Sequence, residues 1–166
     1  LNDNAAKDAV RQQWDRMAQG WSDSSAVIRP WLRDATQAML TMAGVKPGAH
    51  VLDVAAGAGD QTIDIAERVG PEGFVLATDL SPEILRYVAR NAAQAGHRNV
   101  ETKVSDGERL AVEDARFDAV VSRLGLMLLP VYAPVRLRFG FREEPERTAT
   151  SLLGSILRIS QMVSII

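Results

Sequence analysis

The chain has no cysteine, few aromatic residues and no long apolar segment. Without cysteine it has no disulfide, no thiolate nucleophile and no cysteine metal site, and a cytoplasmic setting is the default expectation. A net charge of −2 argues against a general nucleic-acid binder, which is usually basic. No stretch reads as a secretory signal or a membrane span, so stable membrane insertion is not expected. The 166 residues, 46% of them hydrophobic, are enough for one globular core.

The most informative stretch runs from Val51 to Asp60 and reads VLDVAAGAGD. Val51–Val54 predicts a buried parallel strand that carries one acid, Asp53. Residues 55–59 contain nothing larger than alanine and predict a tight turn, after which Asp60 is expected to cap a helix. Because small residues let the backbone approach a ligand closely, this stretch is typical of the first strand-to-helix turn of a nucleotide-type site.

Three further strand-like segments end in residues that could bind a ligand. The predicted strands cover 51–54, 74–78, 100–104 and 117–122. Helices between the first three predict parallel pairing with right-handed crossovers, and ligands bind beyond the carboxyl ends of such strands. A carboxylate placed like Asp79, twenty residues past Gly59, can accept hydrogen bonds from both hydroxyls of a ribose. The residues expected at this shared edge are Asp53 to Gly59, Asp79, Asp106, Gly107 and Ser122.

The spacing of small residues separates two kinds of nucleotide site. A dinucleotide fingerprint needs Gly-x-Gly-x-x-Gly, but counting from Gly57 puts Thr62 in the sixth position. The chain has instead small-x-Gly-x-Gly, formed by Ala55, Gly57 and Gly59. An acid at Asp60, near the helix start, also disfavours a phosphate there. The spacing therefore argues against nicotinamide-dependent enzymes.

Four segments stand in one order along the chain: VLDVAAGAGDQT, ATDLSPEIL, VSDGERL and FDAVVSRLGLMLLP. Together they resemble class I S-adenosylmethionine-dependent methyltransferases, above all the ubiquinone/menaquinone-biosynthesis group. The resemblance implies a Rossmann-like parallel α/β sheet, S-adenosylmethionine as cofactor and methyl transfer to a small-molecule acceptor. The ammonium and sulfonium of that cofactor would suit Asp53 and exposed carbonyls near the turn.

The resemblance also implies roles for individual residues. Gly57, Ala58 and Gly59 would line the methionine part of the cofactor. Asp79 would bind the ribose hydroxyls and Leu80 would pack on adenine. The remaining implied positions are Asp106 at the adenine amino group with Gly107 beside it, and Ser122 beneath the sulfonium. Ala55 replaces the first glycine of the family pattern, and Ala58 stands where relatives often have threonine, but both keep the turn small.

Two amphipathic helices are predicted before the first strand. One carries an apolar stripe and is expected to end at Gly20. The other is expected from Pro30, in the first helical position, to Ala43, with Gly44 after its end. The stripe residues are Ala6, Val10, Trp14, Met17 and Trp21 in the first helix, and Trp31, Leu32, Ala35, Ala38, Met39 and Met42 in the second. The tryptophans either pack onto the core, or Trp14 or Trp21 forms part of a lid over the ligand.

The family pattern ends after Pro130. We therefore divide the chain into an N-terminal helical cap (1–46), a Rossmann-like core (47–130) and an atypical tail (131–166), with a sheet expected to be incomplete after its fourth strand. Residues 135–142 alternate like a strand, and 152–163 predict an amphipathic helix. The tail is either a substitute strand and helix or the product of a truncation or frameshift. An apolar tail helix and an open sheet edge also predict a homo-oligomer.

The sequence leaves two functional hypotheses open. One is a working methyltransferase whose acceptor pocket is completed by the tail or by a second subunit. The other is a cofactor-binding but inactive remnant, or an interaction module. No catalytic residue and no metal ligand is assigned, since His50 and His97 are expected at the surface. Arg123, after the fourth strand, either faces the acceptor or is a solvated loop residue.

Overall fold

The computed structural model describes residues 3–113, 116–128 and 162–165. Three helices precede a parallel sheet whose first strands alternate with helices. In chain order the elements are α1 (Asp3–Asp23), α2 (Ser25–Trp31), α3 (Arg33–Met42), β1 (His50–Val54), α4 (Asp60–Val69), β2 (Phe74–Asp79), α5 (Pro82–Gln94), β3 (Val100–Val104), β4 (Ala119–Arg123), a short 3-10 helix (Leu126–Leu128) and β5 (Met162–Ile165). The predicted parallel α/β sheet is confirmed.

The strand order is β3-β2-β1-β4-β5, and every neighbouring pair is parallel. β1 lies between β2 and β4, so that Asp53 is in register with Ala77 on one side and Val121 on the other. Successive connections leave β1 in opposite directions, toward β2 first and toward β4 later. The carboxyl ends of β1 and β4 therefore flank the point where the order reverses, which is the usual ligand position in such sheets.

Strand alternation divides the core between the two faces of the sheet. On one face Val51, Val75 and Val121 pack with Met39 of α3 and Ile65 of α4. The opposite face contains a smaller cluster of Leu52, Val54, Leu76, Phe117 and Val120, against which Leu110 and Val112 pack. Leu85 and Val88 attach α5 to β2. These contacts fix where the strands end and thus where their final side chains lie.

Several helix boundaries confirm the local sequence signals, and others correct them. The Ser81 hydroxyl accepts a hydrogen bond from the Ile84 N–H at 3.1 Å and Pro82 begins α5, as predicted. Gly20 does not end α1, because a helical glycine costs only about 1 kcal/mol and α1 packs against α5. Asp60 is the first helical residue of α4 rather than its cap, a position that Gly59 occupies at φ 95°.

The predicted helix 30–43 is two helices. Pro30 lies inside α2, and Leu32, at φ −94° and ψ 6°, separates α2 from α3. The break has a physical cause, since proline lacks the N–H needed for the bond to the carbonyl four residues earlier. It also turns the apolar stripe, so that Trp31, expected on the core, is 76% exposed.

The tail expectations are tested only over a short range. Residues 162–165 form β5 alongside β4, so the helix predicted to reach Val163 is wrong at that end. The strand pattern at 135–142 lies outside the described residues. None of the described helices is both long enough and apolar enough for a membrane crossing.

Candidate functional site

A cavity lies at the carboxyl ends of the strands, covered by the N-terminal helices. Its empty volume, including the open mouth, is ≈ 1080 Å³, which is ample for a nucleotide-sized ligand. The lining comprises Val10, Trp14, Trp21, Ile28, Leu32, Val54 to Ala58, Asp60, Gln61, Asp79, Leu80, Ile84, Ser105 to Gly107, Arg123 to Leu126 and Leu128. Of the residues predicted from the sequence, Ala55, Gly57, Ala58, Asp79, Leu80, Asp106 and Gly107 line it. Asp53, Gly59 and Ser122 lie next to it instead.

The glycine-rich turn requires small residues for measurable steric reasons. Gly57 has φ 57°, and a Cβ there would lie 2.8 Å from the Trp21 Nε1. A Cβ on Gly59 would lie 3.1 Å from the Val88 Cα, which is backbone and cannot rotate away. Ala55, where the family pattern has glycine, also adopts a positive φ of 55°. The turn therefore presses against α1 on one side and α5 on the other.

Asp79 ends β2 with its carboxylate at the cavity. Its Oδ2 accepts a hydrogen bond from the Gly57 N–H at 3.1 Å, and its Oδ1 accepts one from the Ser81 N–H at 3.0 Å. Burial raises its pKa above the ordinary value, and these N–H bonds oppose that rise. Asp79 thus joins the turn after β1 to the start of α5 while it lines the cavity.

Asp53 is fully buried beneath the turn and does not reach the cavity. Its Oδ2 accepts a hydrogen bond from the Thr62 hydroxyl at 2.6 Å, and its Oδ1 accepts one from the Gln61 amide. Burial raises the pKa of Asp53 to about 7, although these two hydrogen bonds oppose the rise. The geometry gives this acid a role in holding α4 against β1.

Asp106 lines the cavity just after β3, the strand next to β2, and is bound to α1. Lys7 Nζ lies 2.5 Å from the Asp106 Oδ2 and 2.5 Å from the Glu108 Oε2. Although burial raises the pKa of Asp106, the hydrogen bonds from Lys7 and from the Glu108 N–H outweigh it, and the pKa is lowered. Asp106 is therefore an ionised group already shared with a lysine.

Ser122 is buried below the cavity floor. Its hydroxyl has no hydrogen-bond partner among the described residues. A Cβ on Gly125 would lie 2.4 Å from the Ala55 Cβ and 2.9 Å from the Ser122 Oγ. Gly125 thus lets the segment after β4 approach both residues closely, and Gly125 lines the cavity where Ser122 does not.

Arg123 is the last residue of β4 and lines the cavity, so it is not a solvated loop residue. Its Nη1 donates a hydrogen bond to the Thr36 hydroxyl at 2.8 Å. Burial lowers its pKa, although nearby Asp60, Asp53 and Asp64 oppose that change. Leu124, the next residue, has φ 63°, a rare conformation for leucine and a strained one.

The N-terminal helix forms the roof of the cavity. Trp14 and Trp21 both line it, with their rings at 6.1 Å in an edge-to-face arrangement. Asp15 of α1 accepts a hydrogen bond from the Ser81 hydroxyl at 2.5 Å. Both tryptophans therefore lie where a lid over a ligand would place them, which was one of the two alternatives left open by the sequence.

Some lining residues carried no individual signal in the sequence. Ile28 was not singled out from the sequence, and Leu32 was expected on a core-facing helix stripe rather than at a cavity. Leu124 and Gly125 follow a strand whose end was predicted one residue early. Among the described residues, no group of three or more acidic or histidine side chains is arranged to hold a metal ion.

The sheet order and the crevice at its switch point define a Rossmann-like nucleotide-binding α/β protein. A family model described as "Methyltransferase domain" matches residues 51–137. The chain belongs to this methyltransferase family. The class I fold and S-adenosylmethionine as cofactor, both implied by the resemblance, are thereby confirmed.

Individual relatives agree with this assignment. The chain is 31% identical over 133 residues to nocamycin O-methyltransferase of Saccharothrix syringae, covering 80% of this chain and 46% of that protein. It is 34% identical over 88 residues to arsenite methyltransferase of Halobacterium salinarum, covering 53% and 22%. The fold matches a proposed S-adenosyl-L-methionine-dependent methyltransferase of Methanococcus maripaludis with TM-score 0.64 at 19% identity, covering 73% of this chain and 55% of that one. The chain spans less than half the length of the two curated relatives.

Proposed function

We propose that this chain transfers the methyl group of S-adenosylmethionine to a small, largely apolar molecule. The observation that carries the proposal is the carboxylate of Asp79, which ends β2 at the cavity and is oriented by two backbone N–H groups. Both oxygens keep lone pairs for a ribose diol, since an ionised carboxylate has about four acceptor sites. This arrangement fits an adenosine-containing cofactor.

The other cofactor contacts follow from the same placement. We propose that Leu80 packs on the adenine, that Asp106 accepts from its amino group beside Gly107, and that the turn containing Gly57 and Ala58 holds the methionine part. Asp53, Gly59 and Ser122 act from beneath by shaping the turn, because the structure keeps them off the cavity surface. Ala55 lines the cavity with its single methyl group.

Two features support an apolar small-molecule acceptor. Val10, Ile28, Leu32, Leu126 and Leu128 contribute apolar side chains to the lining of the cavity. The roof formed by α1 narrows access and favours a compact acceptor over nucleic acid. One curated relative is named for O-methylation of nocamycin, a named compound rather than a polymer. The resemblance to the quinone-biosynthesis group adds quinols to the candidate acceptors. A cytoplasmic location and a homo-oligomer formed through the tail stay predictions.

The chain's own contribution to the reaction is positioning and exclusion of water. When bound, the cofactor supplies an already activated methyl group on its sulfonium. A correctly oriented acceptor in a dry cavity can then react by in-line displacement, and such orientation alone removes a large part of the barrier. Trp14 and Trp21 close the cavity from above, so they exclude water and hold the acceptor near the glycine-rich turn.

Calorimetry on the full chain tests the cofactor half of the proposal. We expect S-adenosylmethionine and S-adenosylhomocysteine to bind and NAD not to bind. Asp79→Ala should weaken binding roughly 10- to 100-fold, the usual effect of losing hydrogen bonds to a charged group. Glu72→Gln, at an exposed acid in the turn before β2, is the matched control and should bind normally. Unchanged affinity in folded Asp79→Ala would overturn the proposal.

Turnover tests the transfer half. S-adenosylhomocysteine production is measured with a panel of phenols and quinols, and with aryl amines of similar size. We expect product with at least one compound that fits the apolar cavity. Cofactor binding without turnover across the panel would instead indicate a protein that binds the cofactor but has no transferase activity.

A further inference from the structure

The Arg123 guanidinium has no assigned role in the cofactor arrangement above, yet it lies in the same cavity. It is half-buried at the end of β4, where the polypeptide turns through the strained Leu124. Leu32 of the helical cap and Leu124 also line the cavity. The guanidinium therefore lies at a part of the cavity wall where apolar side chains stand beside the acid Asp60, whose charge acts on Arg123.

Arg29, the neighbouring arginine of α2, shows what a structurally paired guanidinium looks like in this molecule. Its Nη2 lies 2.7 Å from the Asp64 Oδ1 and 2.9 Å from the Glu67 Oε1. For Arg123, by contrast, no carboxylate oxygen of the described residues lies within 4.0 Å. Partly buried charges are normally paired. Asp60, Asp53 and Asp64 act on Arg123 only from beyond contact distance, so an oxygen of a ligand can still make the direct contact.

Thr36 fixes the guanidinium without neutralising it. The Thr36 hydroxyl accepts a hydrogen bond from Arg123 at 2.8 Å and donates one to the Leu32 carbonyl oxygen at 2.9 Å. Thr36 is fully buried, so this contact is rigid. A guanidinium has five N–H donors, and within the described part of the chain one of them is committed to Thr36. The remaining N–H groups of the guanidinium can donate hydrogen bonds to a ligand oxygen.

We propose that Arg123 contacts an ionised oxygen of the acceptor, so that the acceptor class is an apolar molecule with an acidic hydroxyl, such as a phenol or an enol. The inference rests on the proposed function and deepens it. The apolar side chains of the wall pack against the ring or chain of such a molecule, and the guanidinium donates hydrogen bonds to its oxygen. Arg123 is then a specificity-determining residue of the site.

The chemistry balances without a protein base. The acceptor hydroxyl releases its proton to solvent, which the nearby cation favours because it stabilises the oxyanion. The oxyanion then forms a bond to the methyl carbon, the carbon–sulfur bond breaks, and its electron pair stays on sulfur. The products are the methyl ether and S-adenosylhomocysteine.

A chromogenic phenol tests the inference without relying on turnover. 4-Nitrophenol is titrated spectrophotometrically in the presence of the full chain saturated with S-adenosylhomocysteine. We expect binding to lower the pKa of the phenol by roughly one unit or more, as a cation within contact distance does. Arg123→Met should abolish the shift, Arg123→Lys should retain part of it, and Arg98→Met, at an exposed arginine, should behave as the unaltered chain.

Each contrary result is decisive. If 4-nitrophenol fails to bind, or its pKa is not lowered, or Arg123→Met leaves the shift intact, the inference is overturned. A second arm compares S-adenosylhomocysteine with 5′-methylthioadenosine, which lacks the amino-acid carboxylate. If Arg123→Met weakens only the former, Arg123 serves the cofactor carboxylate and the inference fails. Failure of the unaltered chain to bind S-adenosylhomocysteine would instead overturn the proposed function itself.

Discussion

Asp53 and Asp79 belong to neighbouring parallel strands, and burial raises the pKa of both. Asp53 lies inside β1, and its carboxylate oxygens accept hydrogen bonds from the side chains of Gln61 and Thr62. Asp79 ends β2 at the cavity, and its carboxylate accepts hydrogen bonds only from backbone N–H groups. Asp53 is part of a buried group, here called the floor, whose hydrogen-bonding atoms are paired within the protein. Asp79 is part of a second group, here called the rim, which lines the cavity and can still accept hydrogen bonds from a ligand.

This difference separates stability from binding within one site. The floor consists of Asp53, its two partners, and the packed contact between Ala55 and Gly125. The rim consists of Asp79, Asp106 and the part of α1 that covers them. Changes in the floor are expected to lower the free energy of unfolding, and changes in the rim are expected to lower ligand affinity.

The largest expected effect is on the pH dependence of stability. An acid whose pKa rises to about 7 on folding favours the protonated folded state, so its contribution is complete below about pH 4 and is lost as pH rises to about 7. Relative to Asp53→Asn, the unaltered chain should lose on the order of 3–4 kcal/mol across that window. Urea unfolding at several pH values measures the difference, with Glu72→Gln as control. A constant difference would mean that Asp53 is ionised throughout.

Removing the floor acid at a fixed pH has the next largest effect. At pH 5, Asp53→Ala leaves the buried amide of Gln61 and hydroxyl of Thr62 without their acceptor, which should lower the unfolding free energy by about 2–3 kcal/mol. Asp79→Ala should lower it less, because the Gly57 N–H lies at the cavity and can bond to water there, so that only the buried Ser81 N–H loses its acceptor. Equal losses in the two variants would remove the distinction between floor and rim.

The packing of the floor can be tested with a double-mutant cycle. Gly125→Ala forces a methyl group against the Ala55 Cβ and the Ser122 Oγ, and overpacking of this kind costs about 1–3 kcal/mol. Ala55→Gly removes the closest of these contacts and also relieves an alanine at φ 55°. The double variant should therefore be more stable than the sum of the two single changes predicts. Simple additivity of the two changes would show that the segment after β4 moves away instead.

The sequence was sufficient for the strands and for most of the site because the signals are local. A buried apolar run, the Ser81-Pro82 start of α5 and the small-residue turn are each read from adjacent residues. Asp53 was expected at the ligand edge, but it shares the strand face of Val51, which packs against α4, and it is buried there instead. The alternation of side chains along a strand thus distinguishes an acid inside a strand, such as Asp53, from an acid at the end of a strand, such as Asp79.

Long-range contacts explain what the sequence could not provide. Arg123 and Thr36 are 87 residues apart, and no local pattern brings them together. Leu124 adopts a positive φ that leucine does not favour by itself, so its residue type gave no sign of it. The break at Leu32 comes just after Pro30, which was expected at a helix start, and Trp31 is exposed instead of lying on the expected core.

The smallest effect is expected where the rim meets α1. Lys7→Met removes the ion pairs with Asp106 and Glu108, and since partly exposed pairs contribute little, the unfolding free energy should fall by less than about 1 kcal/mol. The pKa of Asp106 should rise, because the lysine that lowers it is gone. Affinity for S-adenosylhomocysteine should change only a few-fold and lose part of its salt dependence, measured by calorimetry at low and high salt beside Lys46→Met at an exposed lysine. Complete loss of binding in Lys7→Met would contradict this prediction, because it would show that the binding site depends on the ion pairs between α1 and Asp106.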